Sequence, residues 1–166
     1  MRRLVLLIGV IVLALPAGAG ALKGGPGDGT LVVENALGVV TMTVRGGIIG
    51  RFDSGTIEVY DPVAGDGPLP VVRGATLRER LGPRRILYTG DTDVRFRLIG
   101  GVYRVRITAI GIDVSAVGRG FGVLDGSGFT DEQTGRYSLN GGSFQTMPGT
   151  ATRFTLGTPL PAIPTR

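Results

Sequence analysis

The chain has 166 residues, with 18 Lys+Arg against 13 Asp+Glu for a formal charge of +5, 30 glycines, and neither His nor Cys. Those two absences exclude Ser-His-Asp and Cys-His nucleophiles, imidazole or thiolate zinc sites, disulfides and an acylated-cysteine lipid anchor. So many glycines would be ruinous in helices but suit tight turns and bulges, which points to β structure.

The chain opens on Met1-Arg2-Arg3, runs apolar from Leu4 to Pro16, and leaves through Ala17-Gly18-Ala19-Gly20-Ala21. A positive start, an apolar run and small residues with A-x-A spacing, in that order, describe a secretory signal peptide over residues 1–21. A retained membrane anchor is the alternative, since a spanning helix needs about 20 apolar residues and Leu4–Leu22 approaches that length. Pro16 and the Gly/Ala stretch dilute its second half and no basic cluster follows, so cleavage is favoured and no transmembrane span is expected afterwards. Losing Arg2 and Arg3 takes the charge from +5 to +3. That is too weakly basic for a nucleic-acid footprint.

Residues 22–29 form a Gly-rich, flexible lead-in. Residues 30–157 read as one all-β domain, and residues 158–166 as a Pro-rich extended tail. Alternating β-branched runs place strands at Thr30–Glu34, Val39–Arg45, Ile48–Phe52 and Thr56–Asp61. Seven more fall at Ile86–Thr89, Val94–Ile99, Val102–Thr108, Ile112–Val117, Phe121–Leu124, Tyr137–Leu139 and Thr152–Leu156. About eleven short strands at this spacing predict a single-domain antiparallel sandwich or barrel. Between the two groups, Asp61–Pro83 is a long crossover. Within it, Thr76-Leu-Arg-Glu79 has the form of a capping box, and Gly82-Pro83 that of a helix stop, which predicts one helical turn.

The two groups resemble copies. Gly38-Val39 matches Gly101-Val102, Gly47-Ile48 matches Gly111-Ile112, and Val59 and Asp61 match Val123 and Asp125, as two related three-strand meanders would. Three tight reversals are expected. A primed turn at Gly100-Gly101 places Arg97 opposite Arg104 and Arg95 opposite Arg106. A reversal at Ala109-Ile110-Gly111 then places Arg106 opposite Asp113, and one at Ser54-Gly55 places Arg51 opposite Glu58.

Arg95, Arg97, Arg104 and Arg106 would thereby share one face, a candidate surface for phosphate or carboxylate groups. The competing reading is a solvated or internally salt-bridged sheet face. The carboxylates Asp53, Glu58, Asp91 and Asp93 could instead serve an extracellular hydrolase if two of them met in a cleft. Asp125-Gly-Ser-Gly128 with Asp131-Glu132 has the look of a calcium loop, but Phe129 and Thr130 stand where an oxygen ligand and Gly belong. No metal or cofactor is therefore expected.

The runs GDGTLVVENALGVVTMTVRGGIIGRFDSGTIEVYDP and FRLIGGVYRVRITAIGIDVSAVGRG, with YSLNG later, resemble a family of small exported all-β proteins of high-GC Gram-positive bacteria. The resemblance spans most of residues 27–156 and rests on glycine and strand spacing. It implies an exported, extracytoplasmic all-β domain and supplies no active site. The expected role is a non-enzymatic binding or structural module of the cell envelope or secreted space, with anionic wall polymer or lipid headgroups as partners. Export with cleavage predicts a mature N-terminus between Gly20 and Lys23. Intact mass of the exported protein checks this, and retention of Met1–Leu22 would make the protein an anchored one.

Overall fold

The computed structural model describes residues 24–126 and 135–158. It holds nine strands, β1 Gly29–Phe52, β2 Ser54–Tyr60, β3 Val71–Arg73, β4 Leu77–Gly82, β5 Arg85–Gly90, β6 Val94–Asp125, β7 Arg136–Leu139, β8 Gln145–Thr146 and β9 Thr152–Leu156. Ten of the eleven expected runs lie wholly in strands, and Thr56–Asp61 does so as far as Tyr60. Those at 30–34, 39–45 and 48–52 are fused into the 24-residue β1, and those at 94–99, 102–108, 112–117 and 121–124 into the 32-residue β6.

The fusion explains the architecture. Both long strands bend, and successive parts of each serve different layers. In layer A the order is β4, β5, β2, then 102–110 of β6, 38–45 of β1, 119–125 of β6, and β9. In layer B it is β3, then 94–99 of β6, 47–52 of β1, 112–118 of β6, 29–36 of β1, and finally β7 and β8. All pairings are antiparallel and the sheet does not close into a barrel. Inward side chains of the two layers form one core, with Met42, Ile57, Tyr103 and Ile107 from A meeting Leu31, Ile48, Phe52 and Leu98 from B. Each of these buried side chains contributes about 1.5–3 kcal/mol by leaving water.

Three expected reversals are overturned. At Gly100-Gly101 the chain passes from layer B to layer A, so 94–99 pairs with 47–52 and 102–109 with 38–45. Gly100 has φ 78, but Gly101 is outside the positive region that a primed turn requires of both residues. The segments around Gly55 and Gly111 likewise change layers, with Asp53 N–H donating to the Ile110 carbonyl. Arg106 therefore faces Thr41 and Glu58, while Arg51 faces Arg95 and Asp113. The expected helical turn is also absent: Leu77-Arg-Glu-Arg-Leu81 alternates with period two and forms β4, which turns at Pro83-Arg84 into β5.

The corners depend on close backbone approach. Gly46 and Gly118 oppose each other with φ of 150 and 145. A Cβ on Gly118 would collide with the Arg45 carbonyl oxygen and lie 3.0 Å from the Gly46 Cα. No side chain fits there.

The two expected three-strand meanders do not form, because 39–45, 47–52 and 54–60 each pair with segments of β6 and not with one another. Segment 39–45 lies between 102–108 and 119–125, and its counterpart 102–108 lies between 39–45 and 54–60. An approximate two-fold through the Met42–Val105 and Gly50–Val114 pairs exchanges the copies. This pairing equates Tyr60 with Val123, one residue away from the match of Val59 with Val123 suggested by the sequence.

The crossover is tied down at one end of the sandwich. Tyr103, 1% exposed, donates its hydroxyl to the Pro68 carbonyl at 2.6 Å, and Asp66 Oδ2 accepts the Val102 N–H at 3.0 Å. Burial pushes the Tyr103 phenol above its ordinary value. The two ends of the described fold also meet, with Thr158 N–H donating to the Gly27 carbonyl at 2.8 Å.

Gly118→Ala should cost about 2 kcal/mol or more, since backbone strain of ~1–3 kcal/mol adds to the carbonyl collision. Gly82, with no atom within 4 Å of an added Cβ, is the control. Gly82→Ala should stay within about 0.5 kcal/mol of the parent in urea melts.

Candidate anion-binding groove

The layer change at Gly100-Gly101 separates the four arginines that sequence reasoning placed together. Arg95 and Arg97 lie on the outer face of layer B, opposite Arg51 and Ile49. Arg104 and Arg106 lie on the outer face of layer A, opposite Thr43 and Thr41. The two pairs sit on opposite sides of the core, so no face carries all four.

On layer B, Arg51 and Arg95 are held by aspartates, while Arg73 and Arg97 have no carboxylate partner among the described residues. Arg73, Arg95, Arg51 and Asp113 stand side by side in register. Arg51 meets Asp113 Oδ2 at 2.9 Å, Asp53 at 3.6 Å and Asp93 at 3.9 Å, while Arg95 meets Asp93 at 2.8 Å. Asp113 also accepts the Asn35 N–H at 2.8 Å. Three aspartates thus surround one guanidinium. Among the described residues, no group of three or more carboxylates is arranged to hold a metal ion.

The hydrolase carboxylates are dispersed by the same geometry. Asp53 and Asp93 both turn to Arg51, Glu58 is across the core in layer A, and Asp91 is exposed ahead of β6. The hydrogen bond from Arg95, with the charges of Arg95 and Arg51, holds the Asp93 carboxyl below its ordinary value. A general acid needs a shift in the other direction. Residues 127–134, which include most of the calcium-like loop, lie outside the described residues.

Layer A is different. Register places Arg104 beside Tyr60 and Tyr60 beside Arg85, on three neighbouring strands. The turn after β4 adds Arg84, at φ 57, whose carbonyl accepts the Asp61 N–H at 3.0 Å. Glu58, Tyr60, Leu81, Pro83, Arg84, Arg85 and Arg104 line an open groove of about 520 Å³. That volume lies within the range of small-ligand sites. The Arg104 guanidinium sits 5.9 Å from the centre of the Tyr60 ring, a cation–π distance that holds it over the groove wall. Arg85 bonds Glu58 at 2.8 Å. Arg84 and Arg104 have no carboxylate within 4 Å among the described residues, and Arg106 adjoins Glu58 in the next row. Three cations and one carboxylate leave the groove at +2.

A larger hollow of about 680 Å³ lies where the ends of the fold meet, lined mainly by Gly27, Gly29, Gly141, Gly157 and Asp28. Its carboxylate is already held by Arg119 at 3.3 Å and by the Gly25 N–H at 2.7 Å, so it gathers no free charge. The layer A groove is therefore the better candidate.

Sequence reasoning found Arg104 and missed Arg84 and Arg85. Both follow the Gly82-Pro83 that reads as a helix stop, and the signal against that reading was the period-two alternation of Leu77-Arg-Glu-Arg-Leu81. No family model, curated protein or solved structure matches this chain.

For Asp93, a depressed folded-state pKa means that its interaction with Arg95 is present above the ordinary aspartate value of 3.8 and is lost as pH falls through the depressed value. An NMR titration of the Asp93 side-chain carboxyl should show a midpoint below 3.8, and Arg95→Gln should move it upward.

Proposed function

We propose that the protein is an exported, non-enzymatic β-sandwich of the cell envelope or secreted space that binds phosphate-bearing polyanions through the layer A groove. The observation that carries this reading is the convergence of Arg84, Arg85 and Arg104 from a turn and two strands on one groove with a single carboxylate. Guanidiniums match phosphate oxygens in geometry as well as charge, and each such hydrogen bond is stronger than a neutral one. The apolar leader with its Ala-Gly-Ala exit supports export. The resemblance to small exported proteins of high-GC Gram-positive bacteria agrees with that location. Arg95 and Arg97 are given no part in this site, because they lie on the opposite outer face and Arg95 is held by Asp93.

Polyphosphate is a suitable soluble probe. The wild type should bind it, and the affinity should fall steeply between about 50 and about 300 mM salt as the charges are screened. Arg84→Gln/Arg104→Gln should weaken binding by about tenfold or more, since each lost charged hydrogen bond is worth roughly 1.5–3 kcal/mol. Arg95→Gln/Arg97→Gln should bind as the wild type does. Equal binding by the groove variant and the wild type, measured by calorimetry, would refute the assignment.

A further inference from the structure

The outer face of layer A combines two properties that a bilayer surface recognises together. It carries uncompensated cations: of Arg84, Arg85, Arg104, Arg106 and Arg153, only Arg85 has a carboxylate within 4 Å among the described residues. On the outer face of layer B, Arg51, Arg95 and Arg136 are paired, while Arg73 and Arg97 are not paired among the described residues. It also exposes large apolar side chains on the same side, with Leu77 57% exposed, Leu81 44% and Phe121 47%. Such side chains cost free energy in water and gain it at the headgroup–acyl boundary.

The register shows how these groups share a face. Phe121, Thr43, Arg104, Tyr60 and Arg85 form one row across the strands, and Arg153, Val123, Thr41, Arg106, Glu58, Leu87 and Glu79 form the next. Arg84, Arg85, Arg104 and Arg106 lie inside the span bounded by Phe121 towards one edge and Leu77 and Leu81 on the other, and Arg153 lies on β9 beyond Phe121. Six strand spacings of ~4.8 Å make the platform about 29 Å wide. Glu58 and Glu79 are the acidic side chains of these two rows, and Glu58 is held by Arg85. The next row, Asp125, Val39, Thr108, Thr56, Thr89 and Leu77, brings one more carboxylate and three threonines.

The edge strand β4 is exposed at every residue from Leu77 to Leu81. A two-fold across this edge centred on Glu79 or Arg80 would set like charges against each other, which opposes pairing with a second copy in those registers. The lead-in reaches the fold on the same side: Asp28 bonds Arg119 at 3.3 Å, on the strand that also carries Phe121.

We infer that the outer face of layer A docks flat on an anionic lipid bilayer, with Arg84, Arg85 and Arg104 taking headgroup phosphates and Leu77, Leu81 and Phe121 entering the interface. This deepens the groove assignment and rests on it. Basic residues near a negative surface and apolar side chains in the interface contribute additively, and neither suffices alone for firm attachment.

The experiment uses the exported full chain with three probes: phosphatidylcholine vesicles, the same vesicles with about 30% phosphatidylglycerol, and soluble polyphosphate. Flotation should show partitioning to the anionic vesicles, reversed by high salt, and little to the neutral ones. Leu77→Ser/Phe121→Ser changes two exposed side chains outside the groove. It should lower vesicle partitioning by about tenfold, roughly the effect of withdrawing two partly inserted apolar side chains, while leaving polyphosphate binding and far-UV circular dichroism as in the wild type. Polyphosphate binding without vesicle binding, or equal partitioning of this variant and the wild type, would overturn bilayer docking and leave the groove assignment standing. Equal attachment to neutral and anionic vesicles would overturn it as well. Arg84→Gln/Arg104→Gln should lose both vesicles and polyphosphate, and if it retains polyphosphate the groove assignment itself fails.

Discussion

Gly46 and Gly118 meet where two long strands cross, and no larger residue can occupy either place, because each would press a Cβ onto the other strand's carbonyl oxygen. That close approach lets β1 and β6 continue without a break from one layer into the other. Because both strands turn the same corner, each pairs with the other in both layers, and the core forms between parts of the same two chain segments. The hydrogen-bond ladder is not interrupted at a loop, so the sandwich needs few connections between its central strands. The peripheral pieces, β3 to β5 and β7 to β9, then extend each layer outward from this interlocked centre.

Strand content was legible because it depends on local alternation. The runs at 94–99 and 102–108 each show every second residue buried, and the structure confirms that phase: Val94, Phe96 and Leu98 are inside, as are Tyr103, Val105 and Ile107. Connectivity was not legible, for a physical reason. A tight hairpin and a layer-changing corner both need glycine, and both shift the phase of alternation, so Gly100-Gly101, Ser54-Gly55 and Gly111 are compatible with either. The deciding contact is non-local, namely which distant strand accepts the hydrogen bonds of 94–99.

The candidate site shows how one connectivity error spreads. A hairpin would have gathered Arg95, Arg97, Arg104 and Arg106, whereas the corner sends two to each side, with Arg95 bound to Asp93 and Arg97 between Ile49 and Val71. The groove draws instead on Arg84 and Arg85, brought next to Arg104 by the β2–β5 ladder. The duplication pairs Glu58 with Phe121, Tyr60 with Val123, Arg104 with Thr41 and Arg106 with Thr43, so the cations belong to one half of the face and an exposed aromatic to the other.

The hydrogen bond between Thr158 and Gly27 bears on how the domain would carry mechanical load. Gly27 and Thr158 lie at one corner, so a load applied through these two residues would have the domain as a side branch and not as a link in series. Tension applied through the two ends would act first on that corner, on Thr158 with Gly27 and then on Asn140 with Thr30, peeling contacts one at a time. The interlocked strands at the centre would lie outside the line of force, and the groove would keep its shape while its attachments were pulled.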